Sequence, residues 1–173
     1  TLSMTAAGAF TYTPNTNFNG TVSFTYQACD PSSACDPATV TITVTAVNDA
    51  PVAGDDAFTT NEDASLTNQS LTANDNDPDN SGAQLTWSLV NGGTAAVNGT
   101  LTVNANGTFS FVPNTNYNGS VSFTYQVCDP SNACDPATVT ITVNAVNDGP
   151  VADDDNFTVV EDGTLNASLG GND

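Results

Sequence analysis

The chain has 173 residues and 19 acids but no lysine, arginine or histidine, for a formal net charge of −19. With nothing to neutralise phosphate, nucleic acid is excluded as a partner, and an anionic membrane surface is disfavoured for the same reason. No histidine or lysine can act as a base, so catalysis has little footing; no apolar run nears the roughly 20 residues of a membrane span, and no basic stretch followed by an apolar one marks a signal peptide.

Taken in order, residues 1–46 carry the stretch Tyr12-Thr-Pro-Asn-Thr-Asn-Phe18-Asn-Gly20, then two alternating apolar runs separated by Cys29-Asp-Pro-Ser-Ser-Ala-Cys35. The second run ends at Val47-Asn48-Asp49-Ala50-Pro51, where proline forbids continuation of a sheet ladder. Strands are then predicted at 57–60, 65–73, 84–90, 100–103, 108–112, 120–128 and 138–146. Period-two alternation places Leu85, Trp87 and Leu89 on one face, then Val121, Phe123, Tyr125 and Val127, then Val139, Ile141 and Val143. Turn signals such as Asn91-Gly92-Gly93, Asn98-Gly99, Asn106-Gly107 and Asn118-Gly119 separate the runs. No helical periodicity competes. The expected fold is all-β, an antiparallel immunoglobulin-like sandwich of about seven strands.

The joint returns as Val146-Asn147-Asp148-Gly149-Pro150, a period of 99 residues. Roughly 46 of the 66 residues from Thr1 to Leu66 match Thr100 to Leu165 at that offset, and a repeat this long is a domain rather than a solenoid unit. The expected organisation is therefore the later portion of one repeat over 1–46, a complete repeat with its leading linker over 47–146, and the start of a third over 147–173. The two partial repeats would expose apolar faces and sheet edges. Chain continuing beyond both ends is the favoured way to cover them; strands donated between subunits are the other.

The acids are not scattered. Eight lie between Asp49 and Asp79, seven between Asp148 and Asp173, and four flank the cysteines as Asp30, Asp36, Asp129 and Asp135. From Asn80 to Cys128 there are none. Without counter-charge such clusters repel, unless a cation absent from the sequence sits among them.

The order of motifs, Phe-x-Tyr-x-Val-Cys-Asp, Ala-Thr-Val-Thr-Ile-Thr-Val, Val-Asn-Asp-x-Pro-Val-Ala, Glu-Asp and Ala-Asn-Asp-x-Asp, resembles the tandem bacterial cadherin-like repeats of giant surface proteins. The resemblance covers the whole chain. It implies an extracellular array of sandwiches, often calcium-stiffened, in adhesins, fibres and matrix proteins of bacterial surfaces. The Leu-Asp-Arg-Glu motif of animal cadherins is absent, since the chain has no arginine.

Strand polarity gives the metal expectation independently. The incoming linker and the loops after the second and sixth strands of a sandwich share one pole; the turn after the first strand and the outgoing linker share the other. The upper pole would gather Asn48, Asp49 and the loop carrying Asp75, Asp77 and Asp79, with Asp129 as a further candidate. The lower pole would gather Glu62, Asp63, Asn147 and Asp148, with Asp173 at the start of the next repeat's loop; Glu161 and Asp162 repeat Glu62 and Asp63. Only hard oxygen donors are present, which suits calcium. Asp75, Asp77 and Asp79 share the spacing that opens an EF-hand, but Asn80 replaces its turn glycine and Thr86 its terminal glutamate.

Five residues separate Cys29 from Cys35, and five separate Cys128 from Cys134. Each pair can close a local disulfide across adjacent strands, which implies an oxidising, extracellular compartment. Free thiols or a soft metal site are the alternatives, and zinc would lack ligands. The seven Asn-x-Ser/Thr sequons fit a chain rich in Asn and Thr. Two functions follow. One is a structural module of a long fibre, stalk or adhesin, its partners being neighbouring repeats or other copies. The other is a module that binds a glycan or surface protein, for which a surface-exposed Trp87 would speak and a buried one against.

Overall fold

A computed structural model describes residues 1–169. Eleven strands are found among them: β1 Leu2–Met4, β2 Phe10–Tyr12, β3 Gly20–Cys29, β4 Cys35–Val44, β5 Asp56–Asn61, β6 Leu66–Ser70, β7 Thr86–Asn91, β8 Gly99–Val103, β9 Thr108–Pro113, β10 Gly119–Cys128 and β11 Cys134–Asn144. Strands β5 to β11 make the sandwich, one sheet ordered β5-β11-β10-β7 and the other β6-β9-β8.

The alternation that predicts the strands also builds the core. Val121, Phe123, Tyr125 and Val127 of β10 point inward beside Ala137, Val139, Ile141 and Val143 of β11. The intervening threonines, serines and glutamine face out, where β-branched residues suit the pleat. Phe109 and Phe111 enter from the facing sheet; Leu71, Leu85, Trp87 and Ala95 complete the buried set. Fully burying each Val, Leu, Ile or Phe side chain among them contributes about 1.5–3 kcal/mol.

Three features depart from the expected layout. First, β5 pairs parallel to β11, with Val139 opposite Asp56 and Asn144 opposite Asn61, while every other ladder is antiparallel. Parallel neighbours need a long crossover, and here the rest of the repeat supplies it. Second, Asn91-Gly92-Gly93 opens a short helix, α1 Gly93–Val97, instead of a hairpin turn. A hairpin joins neighbours in one sheet, whereas β7 and β8 belong to different sheets. The chain must cross between layers, so α1 buries Ala95, and the Thr94 hydroxyl accepts the Ser122 N–H at 2.8 Å. Third, Leu89 is 43% exposed although it shares a face with Trp87, because β7 is the outer strand and its register slips opposite Thr124 and Tyr125.

Residues 1–46 reproduce half of this arrangement. β3 pairs with β4 from Gly20↔Val44 to Cys29↔Cys35, just as β10 pairs with β11 from Gly119↔Val143 to Cys128↔Cys134. β1 pairs with β2 in the register of β8 with β9. The packing around them is open: Tyr26 is 37% exposed, whereas its counterpart Tyr125 is fully buried. Residues 145–169 form no strand.

Candidate metal centre

The upper pole is assembled by the linker folding onto the loop after β6. Val52 and Asn76 exchange both backbone hydrogen bonds, at 2.7 and 3.0 Å, which fixes the linker's height against the loop. The Asp49 N–H then donates to Asp79 Oδ2 at 2.6 Å. Asn48 reaches the loop between β10 and β11, its Nδ2 donating to Asp129 Oδ2 at 2.6 Å while Ser131 Oγ donates to Asn48 Oδ1 at 3.0 Å. Asp129 is 4% exposed. The Asn48 amide, aided by N–H groups of 131–133, holds its carboxyl below the ordinary carboxylate range.

Within the loop the three aspartates face different ways. Asp77 Oδ1 accepts the Asp79 N–H at 2.8 Å, the Asn80 N–H at 2.7 Å and the Asn80 amide at 3.1 Å. Its other oxygen, Oδ2, is buried with no hydrogen-bond partner. Leaving a buried polar atom unsatisfied costs about 1–3 kcal/mol, more when the group is charged, so this oxygen is the one that a hard cation would complete. Asp79 stands on the linker. Asp75 turns inward: Oδ1 accepts the Gly54 N–H at 2.9 Å, and Oδ2 accepts Trp87 Nε1–H at 2.7 Å.

Behind Asp75 lies a crowded acceptor network. The single hydroxyl proton of Tyr125 faces Asp75 Oδ1 and the Gly54 carbonyl, both at 3.0 Å, and Asp56 Oδ2 at 3.2 Å. There are more acceptors than protons. Burial first, and then the charges of Asp75 and Asp55, push the Asp56 carboxyl up to about 6 against the bond from Tyr125. Burial, followed by the hydrogen bond to Asp75, pushes the Tyr125 phenol far above its ordinary value.

At the lower pole Glu62 is 7% exposed. Its Oε1 accepts the Val146 N–H at 2.5 Å and its Oε2 accepts the Asn118 amide at 3.3 Å, which ties the turn after β5 to the segment that leaves β11 towards Asn147 and Asp148. Asp63, at φ 59°, accepts the Asn116 N–H at 3.1 Å. Asn147 donates to the Asp148 carbonyl at 3.0 Å, as Asn48 does to that of Asp49. Glu161 and Asp162 lie on the exposed turn at 160–163, where Asp162 at φ 58° repeats the backbone of Asp63. Asp173 lies outside the described residues. Among those described, no three Cys, Asp or Glu side chains converge as an ion cage.

Sequence reasoning thus brings Asn48, Asp49, Asp77, Asp79 and Asp129 to one pole. It misses Ser131, Asp135, which accepts the Ala53 N–H at 2.9 Å, and Asp55, which accepts the Thr138 N–H at 2.7 Å. Both disulfides form as spaced, Cys29 to Cys35 and Cys128 to Cys134, and no free cysteine remains. Trp87 is 4% exposed, at the base of a groove of about 550 Å³ beside Thr72, Ala83 and Asn106. No helix among the described residues is long and apolar enough to cross a membrane.

Solved structures share this architecture. A crystal structure of mouse cadherin-23 EC22-24 matches with TM-score 0.61 at 17% identity, over 84% of this chain and 50% of that one. Protocadherin gamma B2 extracellular cadherin domains 3-6 match with TM-score 0.58 at 16% identity, over 83% and 39%. The protocadherin gammaB4 extracellular domain matches with TM-score 0.55 at 15% identity, over 83% and 24%. The chain thus spans from about a quarter to a half of these neighbours, and at such identity the likeness concerns the fold. No match is found among curated proteins. A bacterial Ig domain model matches residues 1–43. The bacterial cadherin-like domain model matches residues 48–145, more than half of the chain, and the protein accordingly belongs to the bacterial cadherin-like domain family.

Proposed function

We propose that this chain is a structural module of a long extracellular bacterial surface fibre, stalk or adhesin, in which calcium at each joint stiffens one sandwich against the next. The observation that carries the reading is the buried, unpartnered Oδ2 of Asp77. At the upper joint Asn48, Asp49, Asp77, Asp79 and Asp129 would hold the ion, with Asp75 bracing their loop from the core side. At the lower joint Glu62, Asp63, Asn147 and Asp148 would do so together with donors of the following repeat, to which Asp173 belongs; Glu161 and Asp162 have the same role at the joint after that. Calcium takes 6 to 8 oxygen ligands, which carboxylates, side-chain amides, backbone carbonyls and water supply together. Bound there, calcium would neutralise the clustered acids and remove freedom between modules.

Residues 47–146 act as one complete repeat in this reading, and the role is mechanical rather than enzymatic. Burial of Trp87, with its N–H turned to Asp75, supports the structural role over glycan or partner recognition. Calorimetric titration with calcium is the test. Saturable binding that Asp77→Asn weakens at least tenfold is expected; equal binding by both chains, or no heat from either, would contradict the assignment.

A further inference from the structure

We propose that the flank of the sandwich formed by β7, α1 and β8 packs side by side against the same flank of a second copy of this chain, with Leu89 and Val90 at the centre of the contact. The inference is independent of calcium and of the joints at the poles.

Topology makes the flank and the register slip makes it apolar. β7 is the outermost strand of one sheet and β8 of the other, and α1 crosses between them. The strand Thr86-Trp-Ser-Leu-Val-Asn91 holds neither the proline nor the charge by which edge strands are commonly blunted. Its upper end is covered, because the Trp87 N–H donates to the Ala105 carbonyl at 3.2 Å. Opposite Thr124 and Tyr125 the slip adds one residue to β7, which breaks the alternation and leaves the consecutive Leu89 and Val90 both exposed. Val97 of α1 is exposed on the same crossing.

Electrostatics selects the occupant. With 19 acids and no cationic side chain, two copies repel wherever their carboxylates meet. The opposite flank, where β5 turns into β6, carries Asp56, Glu62 and Asp63, and the poles carry the acids of the joints. The stretch from Asn80 to Cys128, which builds β7, α1, β8, β9 and β10, carries none. A partner rich in basic groups would find nothing to pair with on this flank. A neutral apolar partner fits it, and the same flank of another copy is one by construction. The outer face of β10 is neutral too, but it presents Ser122, Thr124 and Gln126, which water already suits.

Each copy offers the same patch, so the contact is isologous and closes as a dimer. A few side chains are little against the roughly 1,200–2,000 Å² of a stable interface, so the dimer is weak and forms at high concentration. Sedimentation velocity of the 173-residue chain, from micromolar to millimolar concentration and at low and high salt, tests the proposal. The mass should rise from 17.6 kDa towards twice that value and stop there. Salt should strengthen the association by screening the net repulsion. Val90→Glu sets like charges against each other and should weaken the association roughly tenfold or more. Val112→Glu, at a side chain of β9 that is 47% exposed against 53% for Val90, should leave it unchanged. A monomer at every concentration, growth past the dimer, or equal effects of the two substitutions would overturn the proposal.

Discussion

The two oxygens of Asp77 separate structure from ligation. Three donors on Oδ1 set the turn, and an asparagine side chain carbonyl can accept them too. Asp77→Asn should therefore melt no lower than the wild type in chelator while losing the gain conferred by calcium, about 2.7 kcal/mol per site at 100 times the dissociation constant. Paired melts with and without calcium check this. Asp56 makes a prediction in pH. Its carboxyl is raised from 3.8 to about 6, so its contribution to stability is fully present below 3.8 and is lost as pH climbs through 6. Asp56→Asn cannot ionise. Measured in chelator, its melting temperature relative to the wild type should rise across that window and level off above it; a fall would contradict the network described around Tyr125.

Strands β9 and β2 are near copies in unlike settings. Phe109 is fully buried between two rings, whereas Phe10 is half-exposed against one. Phe109→Ala should cost about 3–5 kcal/mol in denaturant unfolding of the sandwich, and Phe10→Ala should leave that transition unmoved. The Cys128–Cys134 bridge closes the loop that presents Asp129 and Ser131 to Asn48. Replacing both cysteines by serine should lower stability by about 2 kcal/mol on the chain-entropy estimate, again read by denaturant unfolding. β10 and β11 are legible in the sequence because each strand has one buried face, which forces strict alternation. The helix α1 is not, since Gly92-Gly93 serves a hairpin or a layer crossing equally well and the choice depends on which sheet β8 joins. The latch from Asn48 to Asp129 and Ser131 is only half legible: polarity places the loops at one pole, but side-chain partners depend on a linker fixed by the Val52 and Asn76 backbone.

Along the whole molecule the carboxylates gather at the joints and the sandwich wall between them is neutral from Asn80 to Cys128. That division is readable because strand polarity sends alternate connections to opposite poles. What the sequence does not reveal is that Asp75 serves the core, bonded to Trp87 and Tyr125, while Asp77 keeps an oxygen free of donors. If calcium is built into the joints, removing it should loosen the 173-residue chain, which thermal melting in calcium against excess chelator would read. The melting temperature should be several degrees higher in calcium, as expected when a bound ion contributes a few kcal/mol. Superimposable curves at saturating calcium would contradict it.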